Sequence, residues 1–228
     1  MSKGNFLVTL ESPGSKEVAS LNASFNEMLR NLEGTQKELI EAYDNSLQGW
    51  SRALSLRDHD TDIHSRRVVE LTVAFSKVLG IEGKELEDIR RGAMLHDIGK
   101  VGIPDQVLRK SNDLTDEEWV LMKKHPLYAV EILKPIRFLK DALEIPLYHH
   151  EQWDGGGYPY GLAGEKIPFP ARLFAITDVY DALISNRPYR KAWPKAKAIE
   201  YLVENKGSHF DPNLVDQFVE FVIKDKQF

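Results

Sequence analysis

Five of the seven histidines in this 228-residue chain stand where ligand chemistry is possible. His149 and His150 are adjacent in the stretch YHHEQWDGGGYP, residues 148–159. Neighbouring side chains on a helix point about 100° apart, so the pair does not serve one simple packing face. His96 and Asp97 are also adjacent, at the end of an amphipathic stretch. His64 lies four residues after Asp60, which places both on one face of a helix. His125 sits at a helix end just before Pro126, and Asp178 lies inside the apolar run LFAITDV. A carboxylate in such a run is costly to bury unless it is paired or binds a metal. Each residue alone has a plainer explanation. His125 alone fits a hydrogen-bonded core histidine, Asp178 an ion pair with Arg172, and Asp60 with His64 a solvated helix start. Taken together they fit a multi-metal site carried on a helical bundle. His59 and His209 fit no ligand pattern, and His209 is expected to pack beside a helix cap at Asp211.

The composition narrows the chemistry. With no cysteine there is no disulfide and no thiolate site, so a metal must use His, Asp, Glu and water. That donor set suits Fe, Mn, Zn, Co or Ni. A net charge of −5 provides no overall basic field, which argues against a nucleic acid polymer as partner. No apolar run approaches the roughly 20 residues of a membrane span, and the start does not read as a signal peptide. The expectation is a soluble, cytoplasmic chain.

The elements that must position these residues are all helical, so the fold class is all-α. Helices are expected over residues 66–79, 86–95, 117–125, 128–133, 171–185, 196–203 and 213–223, with an irregular loop around 152–170. Thr115 before three acidic residues suits a helix start, as does Asp211 before Pro212. The first 49 residues differ in character. GNFLVTL suggests a short extended piece and ESPGS a break. From Lys16 onward Val18, Leu21, Phe25, Met28 and Leu32 recur at spacings of three and four, continued by Leu39 and Ala42. So narrow a seam predicts a coiled-coil-like helix and a parallel homodimer through residues 16–50. A helix packed on its own domain is the alternative.

Two resemblances add to this. GNFLVTLESPGSKEVASLNASFNEMLRNL resembles the second half of a HAMP module, the signalling connector just inside bacterial membranes. It implies residues 1–49 as a partial HAMP-like segment and linker, and a chain that is the cytoplasmic part of a membrane-anchored receptor. Further on, GAMLHDIGKVGIPD resembles the signature of HD-domain phosphohydrolases, and HHEQWDGGGYPYGLAGEKIP that of their HD-GYP subgroup. RDHDTDIHSRRV, AITDVYDALISNRPYRKAW and HFDP follow the same subgroup in order. The resemblance covers residues 50–224, and residues 50–228 are read as one catalytic domain with a helical bundle of the HD type and an irregular GYP loop. It implies a metal-dependent phosphodiesterase that hydrolyses cyclic di-GMP to pGpG and onward to GMP. The alternatives are 3′,3′-cyclic GMP-AMP as substrate, or a catalytically weak module that binds a cyclic dinucleotide or a GGDEF-domain diguanylate cyclase.

Carried over by position, the resemblance implies metal ligands at His64, His96, Asp97, His125, His149, His150 and Asp178. Two or three ions are expected, commonly iron or manganese, with Zn, Ni, Co and Mg as alternatives. Three-metal relatives carry Glu four residues before the first His; here Asp60 holds that place. It is read as a ligand, with a binuclear site as the alternative. Asp97 is suited to bridging two ions, and Lys100 to reaching the phosphate or the leaving oxygen. Tyr158, Arg187 and Arg190 fall where the subgroup contacts substrate phosphates.

Overall fold

A computed structural model describes residues 16–58, 62–110, 112–186 and 190–225. The chain divides into two compact units, Met1–Ser46 and Leu47–Phe228. Asp60, His59 and Arg187 lie outside the described residues, as do GNFLVTL and ESPGS. Among the described residues the regular structure is helical, with two isolated β-bridges and no strand. No helix among them is long and apolar enough to cross a membrane.

Helix α1 runs Lys16–Ser55. Within the first unit its seam residues Val18, Leu21, Phe25, Met28, Leu32 and Leu39 are all exposed. The second unit continues with α2 (Asp62–Val78), α3 (Gly83–Met94), α4 (Asp105–Leu108), α5 (Asp116–Met122) and α6 (His125–Leu133). After α7 (Glu144–Tyr148) comes the irregular loop, then α8 (Phe169–Ile184), α9 (Lys195–Glu204) and α10 (Pro212–Lys224).

The main core follows from helical spacing. Val68, Leu71 and Phe75 share one face of α2 and are all buried. They meet Leu173, Phe174 and Tyr180 of α8 and Leu214, Phe218 and Phe221 of α10. The Phe75 ring meets Phe218 edge-on at 5.1 Å, an arrangement aromatic quadrupoles favour. Truncating so buried a ring removes about 3–5 kcal/mol, so Phe75→Ala threatens the fold rather than the site. A second cluster joins Leu47, Leu95, Ile98, Ala129 and Leu133. It fixes the short 3₁₀ turn Ile98–Gly102 against α6.

One glycine makes that contact possible. A Cβ on Gly99 would lie 1.8 Å from the carbonyl oxygen of His125. Only bare backbone allows the turn carrying Asp97 and Lys100 to sit against the start of α6.

The caps read from sequence are present. Thr115 and Glu118 form a reciprocal capping box at α5, and Asp211 accepts from the backbone of Asn213 and Leu214 at α10. The position of His125 needs correcting: α5 stops at Met122, and His125 opens the next helix with Pro126 in its first turn. Proline is tolerated there because the first turn has no partner for its missing N–H. Arg172 does not pair with Asp178; it bonds Asp211 at 2.6 Å.

Candidate metal centre

Six of the residues picked out by type and spacing converge as two groups of three. His64, His96 and Asp178 form one; His125, His149 and His150 form the other. In each, one donor atom per residue lies within 4.8 Å of the others. Asp97 stands between them. Its Oδ2 is 3.1 Å from His96 Nε2, and its Oδ1 is 3.6 Å from His125 Nε2. The groups come from separate elements: α2, the end of α3, α6, the end of α7, and α8.

The imidazoles are oriented by their far nitrogens. His96 Nδ1 lies 2.8 Å from the Ala93 carbonyl, His125 Nδ1 2.9 Å from that of Met122, and His149 Nδ1 3.1 Å from that of Ile145. A carbonyl oxygen only accepts, so each Nδ1 must carry the proton. Each Nε2 then offers a lone pair to the centre. His64 Nδ1 is held instead by the Asp181 carboxylate at 2.5 Å, and Arg67 grips both oxygens of that carboxylate.

This arrangement tests whether cations fit. His125 Nε2 faces His149 Nε2 at 3.4 Å. With both Nδ1 atoms protonated these are two facing lone pairs, which repel unless a positive charge binds them. His64 Nε2 likewise faces Asp178 Oδ1 at 3.4 Å. Acceptors turned on acceptors, with His64, His125 and His149 each backed by an outer hydrogen bond, are what a divalent cation requires. The residues present fit such ions.

The protonation states of three of the rings agree. Burial pushes His149 down to about 3, with His125 and His96 adding to the effect. Burial likewise holds His125 and His150 below the usual imidazole range. These rings are neutral at physiological pH and available as ligands. For His96, burial alone would lower the pKa, but the Asp97 carboxylate leaves it raised. Burial opposes ionisation of Asp97 as well, yet Lys100 and His96 hold it well below the ordinary value. Burial opposes ionisation of Asp178, yet His64 and His96 together hold it down at about 2.

The groups open onto a cavity of about 360 Å³ lined also by Lys100, Asp58 and Tyr158. Lys100 Nζ lies 2.8 Å from Asp97 Oδ2 and 3.0 Å from Asp58 Oδ2. The Tyr158 ring stacks on His150 with centroids 4.6 Å apart. Burial raises its phenol, so the hydroxyl keeps its proton. Gly157 has a packing role here. A Cβ on it would lie 2.3 Å from the backbone nitrogen of Gln152, so the loop doubles back against the chain that follows the histidine pair. Arg190 is not among the residues that line the cavity. Its guanidinium donates to the Ala182 carbonyl at 2.5 Å and lies over the Trp193 ring.

Three acidic residues at the site escaped sequence reasoning. Asp181 lies three residues after Asp178, a spacing that places both on one helix face, so periodicity alone could have flagged it. Asp58 carried no such signal. Neither did Glu151, whose buried carboxylate accepts from the backbone of Tyr160 at 2.8 Å and Leu162 at 2.9 Å and so anchors the loop.

This fold and this site define a known class: residues 48–214 match the HD domain, and the chain belongs to the HD-domain family. Its Gly157-Tyr158-Pro159 loop places it in the HD-GYP branch. It is 40% identical over 234 residues to a Vibrio cholerae protein named cyclic di-GMP phosphodiesterase, covering 96% of this chain and 48% of that one. It is 38% identical to the 3′3′-cGAMP-specific phosphodiesterase 2 of the same organism, over 85% of this chain and 36% of that protein. The chain thus spans half or less of these relatives' length. The HD-GYP protein structure from Bdellovibrio bacteriovorus superposes with a TM-score of 0.60 at 23% identity, covering 82% of this chain and 65% of that one.

Proposed function

We propose that the chain is a metal-dependent phosphodiesterase that hydrolyses cyclic di-GMP to pGpG, and onward to GMP. One observation carries this reading: Asp97 turns one oxygen towards each histidine group while Lys100 lies against it. The donor set suits iron or manganese, with Zn, Ni, Co and Mg as alternatives. Such ions, when bound, activate water and neutralise the phosphate charge that grows in the transition state.

The chain's own residues do the rest. His64, His96 and Asp178 would hold one ion and His125, His149 and His150 another, with Asp97 placed to serve both. Asp60 supplies a third position. Asp58 and Asp97 keep the Lys100 ammonium at the cavity, where it meets a phosphate oxygen or gives a proton to the leaving oxygen. Tyr158 donates its hydroxyl to a phosphate. Arg187 takes the second phosphate of the dinucleotide, and Arg190 joins it on leaving the Ala182 carbonyl that it holds here; the forked donors of arginine suit that task.

The test is product analysis. Protein loaded with Mn²⁺ or Fe²⁺ is expected to convert cyclic di-GMP to pGpG on chromatography, and His96→Ala with Asp97→Ala to abolish the conversion. Full metal content without turnover would sink the proposal and leave a binding module. The relative named for 3′3′-cGAMP supports a second reading in which that dinucleotide is preferred. Competition between the two substrates separates them.

Residues 1–49 are proposed as a HAMP-like connector and the chain as cytoplasmic, within a membrane-anchored receptor. GGDEF-domain diguanylate cyclases are proposed partners of the GYP loop. The exposed seam of α1 supports a homodimer through residues 16–50; a monomer in light scattering at micromolar concentration would remove it.

A further inference from the structure

The cavity has two unlike walls. It is lined by the charged and imidazole cluster and by an apolar set, Leu108, Leu114, Trp119 and Met122. Leu108, Leu114 and Met122 rest on a small core of their own. Trp119 is absent from that core and is 46% exposed. It sits on α5, a helix with no buried residue. Trp119, Met122 and Lys123 fall at spacings of three and four, on one face of that helix and its cap. Lys123 Nζ lies 5.4 Å from the Tyr158 ring centroid, so this face leans over the same mouth as the GYP loop. Nearly half of Trp119 is left open to solvent beside the imidazole cluster. It offers a flat π-face and an edge N–H, which suit a nucleobase.

The geometry points to Trp119 as the base-binding platform of the active site. With a phosphodiester at the metal groups, one purine of a cyclic dinucleotide stacks on the indole, with Leu114 and Met122 beneath it. This rests on the cyclic dinucleotide reading and adds to it a residue that binds the base and takes no part in bond cleavage.

The experiment compares wild type, Trp119→Ala and Trp119→Phe as the full Mn²⁺-loaded chain. Two substrates are used: cyclic di-GMP, and bis(p-nitrophenyl) phosphate, a phosphodiester without a purine. Calorimetric binding of cyclic di-GMP runs in parallel. Stacking on one aromatic ring predicts KM and Kd for the dinucleotide raised about tenfold in Trp119→Ala. kcat, metal content and rates on bis(p-nitrophenyl) phosphate should be unchanged, and Trp119→Phe should recover most of the loss. If wild type turns over the dinucleotide and Trp119→Ala matches its KM, the platform is overturned while the proposed function stands. Equal losses on both substrates would also overturn it, because they mark a structural role. If wild type binds without turnover, Kd decides in place of KM. If wild type neither binds nor hydrolyses the dinucleotide, both readings fall.

Discussion

The two donor groups are built from similar ligands but differ in charge and in what stands behind them. His64, His96 and Asp178 include a carboxylate, and Asp181 with Arg67 backs His64. His125, His149 and His150 are all imidazole, and the first two are backed by main-chain carbonyls. A cation bound at the first group would meet the Asp178 charge besides the Asp97 carboxylate. At the second it would meet only Asp97. Charge at short range in a low-dielectric site outweighs small differences in geometry. The carboxylate group should therefore bind its ion more tightly, and the imidazole group should be the labile half. Titrating metal-free protein with Mn²⁺ should show two phases. Asp178→Asn should weaken the tight phase and His150→Ala the loose one.

The largest effect is expected where the two halves meet. Asp97→Ala should take turnover to background and lower metal content at both groups, as measured by elemental analysis. If only one equivalent of metal is lost, Asp97 serves one group and does not bridge. Next comes Lys100→Ala. It should lower kcat by about 10²–10³-fold with both ions retained; a loss of metal instead would make the lysine structural.

Asp181→Asn tests the backing of the carboxylate group. Removing an outer carboxylate from a ligand histidine weakens metal affinity by about 10–100-fold. The loss should appear in the tight phase and leave the loose phase alone. Equal weakening of both would show that Asp181 holds the fold rather than His64.

The smallest effect concerns acid. His125, His149 and His150 have folded-state pKa values below the ordinary 6.5, His149 at about 3. Below 6.5 the unfolded chain therefore binds more protons than the folded one, so stability falls with pH. For His149 that loss runs from about 6.5 down to about 3. His96, whose pKa is raised, works in the opposite sense at the upper end of the window. Four lowered histidines, His209 being the fourth, against one raised leaves a net loss. Metal-free protein should show a lower melting temperature at pH 5 than at pH 7. His149→Gln should flatten the slope, and an unchanged slope would mean that this ring is not buried neutral.

The sequence by itself determined much of this protein. Residue types with fixed covalent spacing carry their own meaning, so the pairs His96-Asp97 and His149-His150, the all-α pattern and the caps at Thr115 and Asp211 could be read directly. So could the apolar setting of Asp178, because α8 shows a continuous hydrophobic run. Tertiary structure alone decided how the ligands divide. Six side chains from distant elements sort into two groups only when α2, α3, α6, α7 and α8 pack together, and no local spacing encodes that partition. It also decided what the glycines do. Gly99 and Gly157 are close contacts, where a Cβ would strike the backbone of His125 and Gln152. Asp58 and Glu151 were invisible for a related reason. Their partners, Lys100 and the backbone of Tyr160 and Leu162, are brought to them by the fold. A hydrogen bond between residues far apart in the chain leaves no periodic trace in either stretch of sequence.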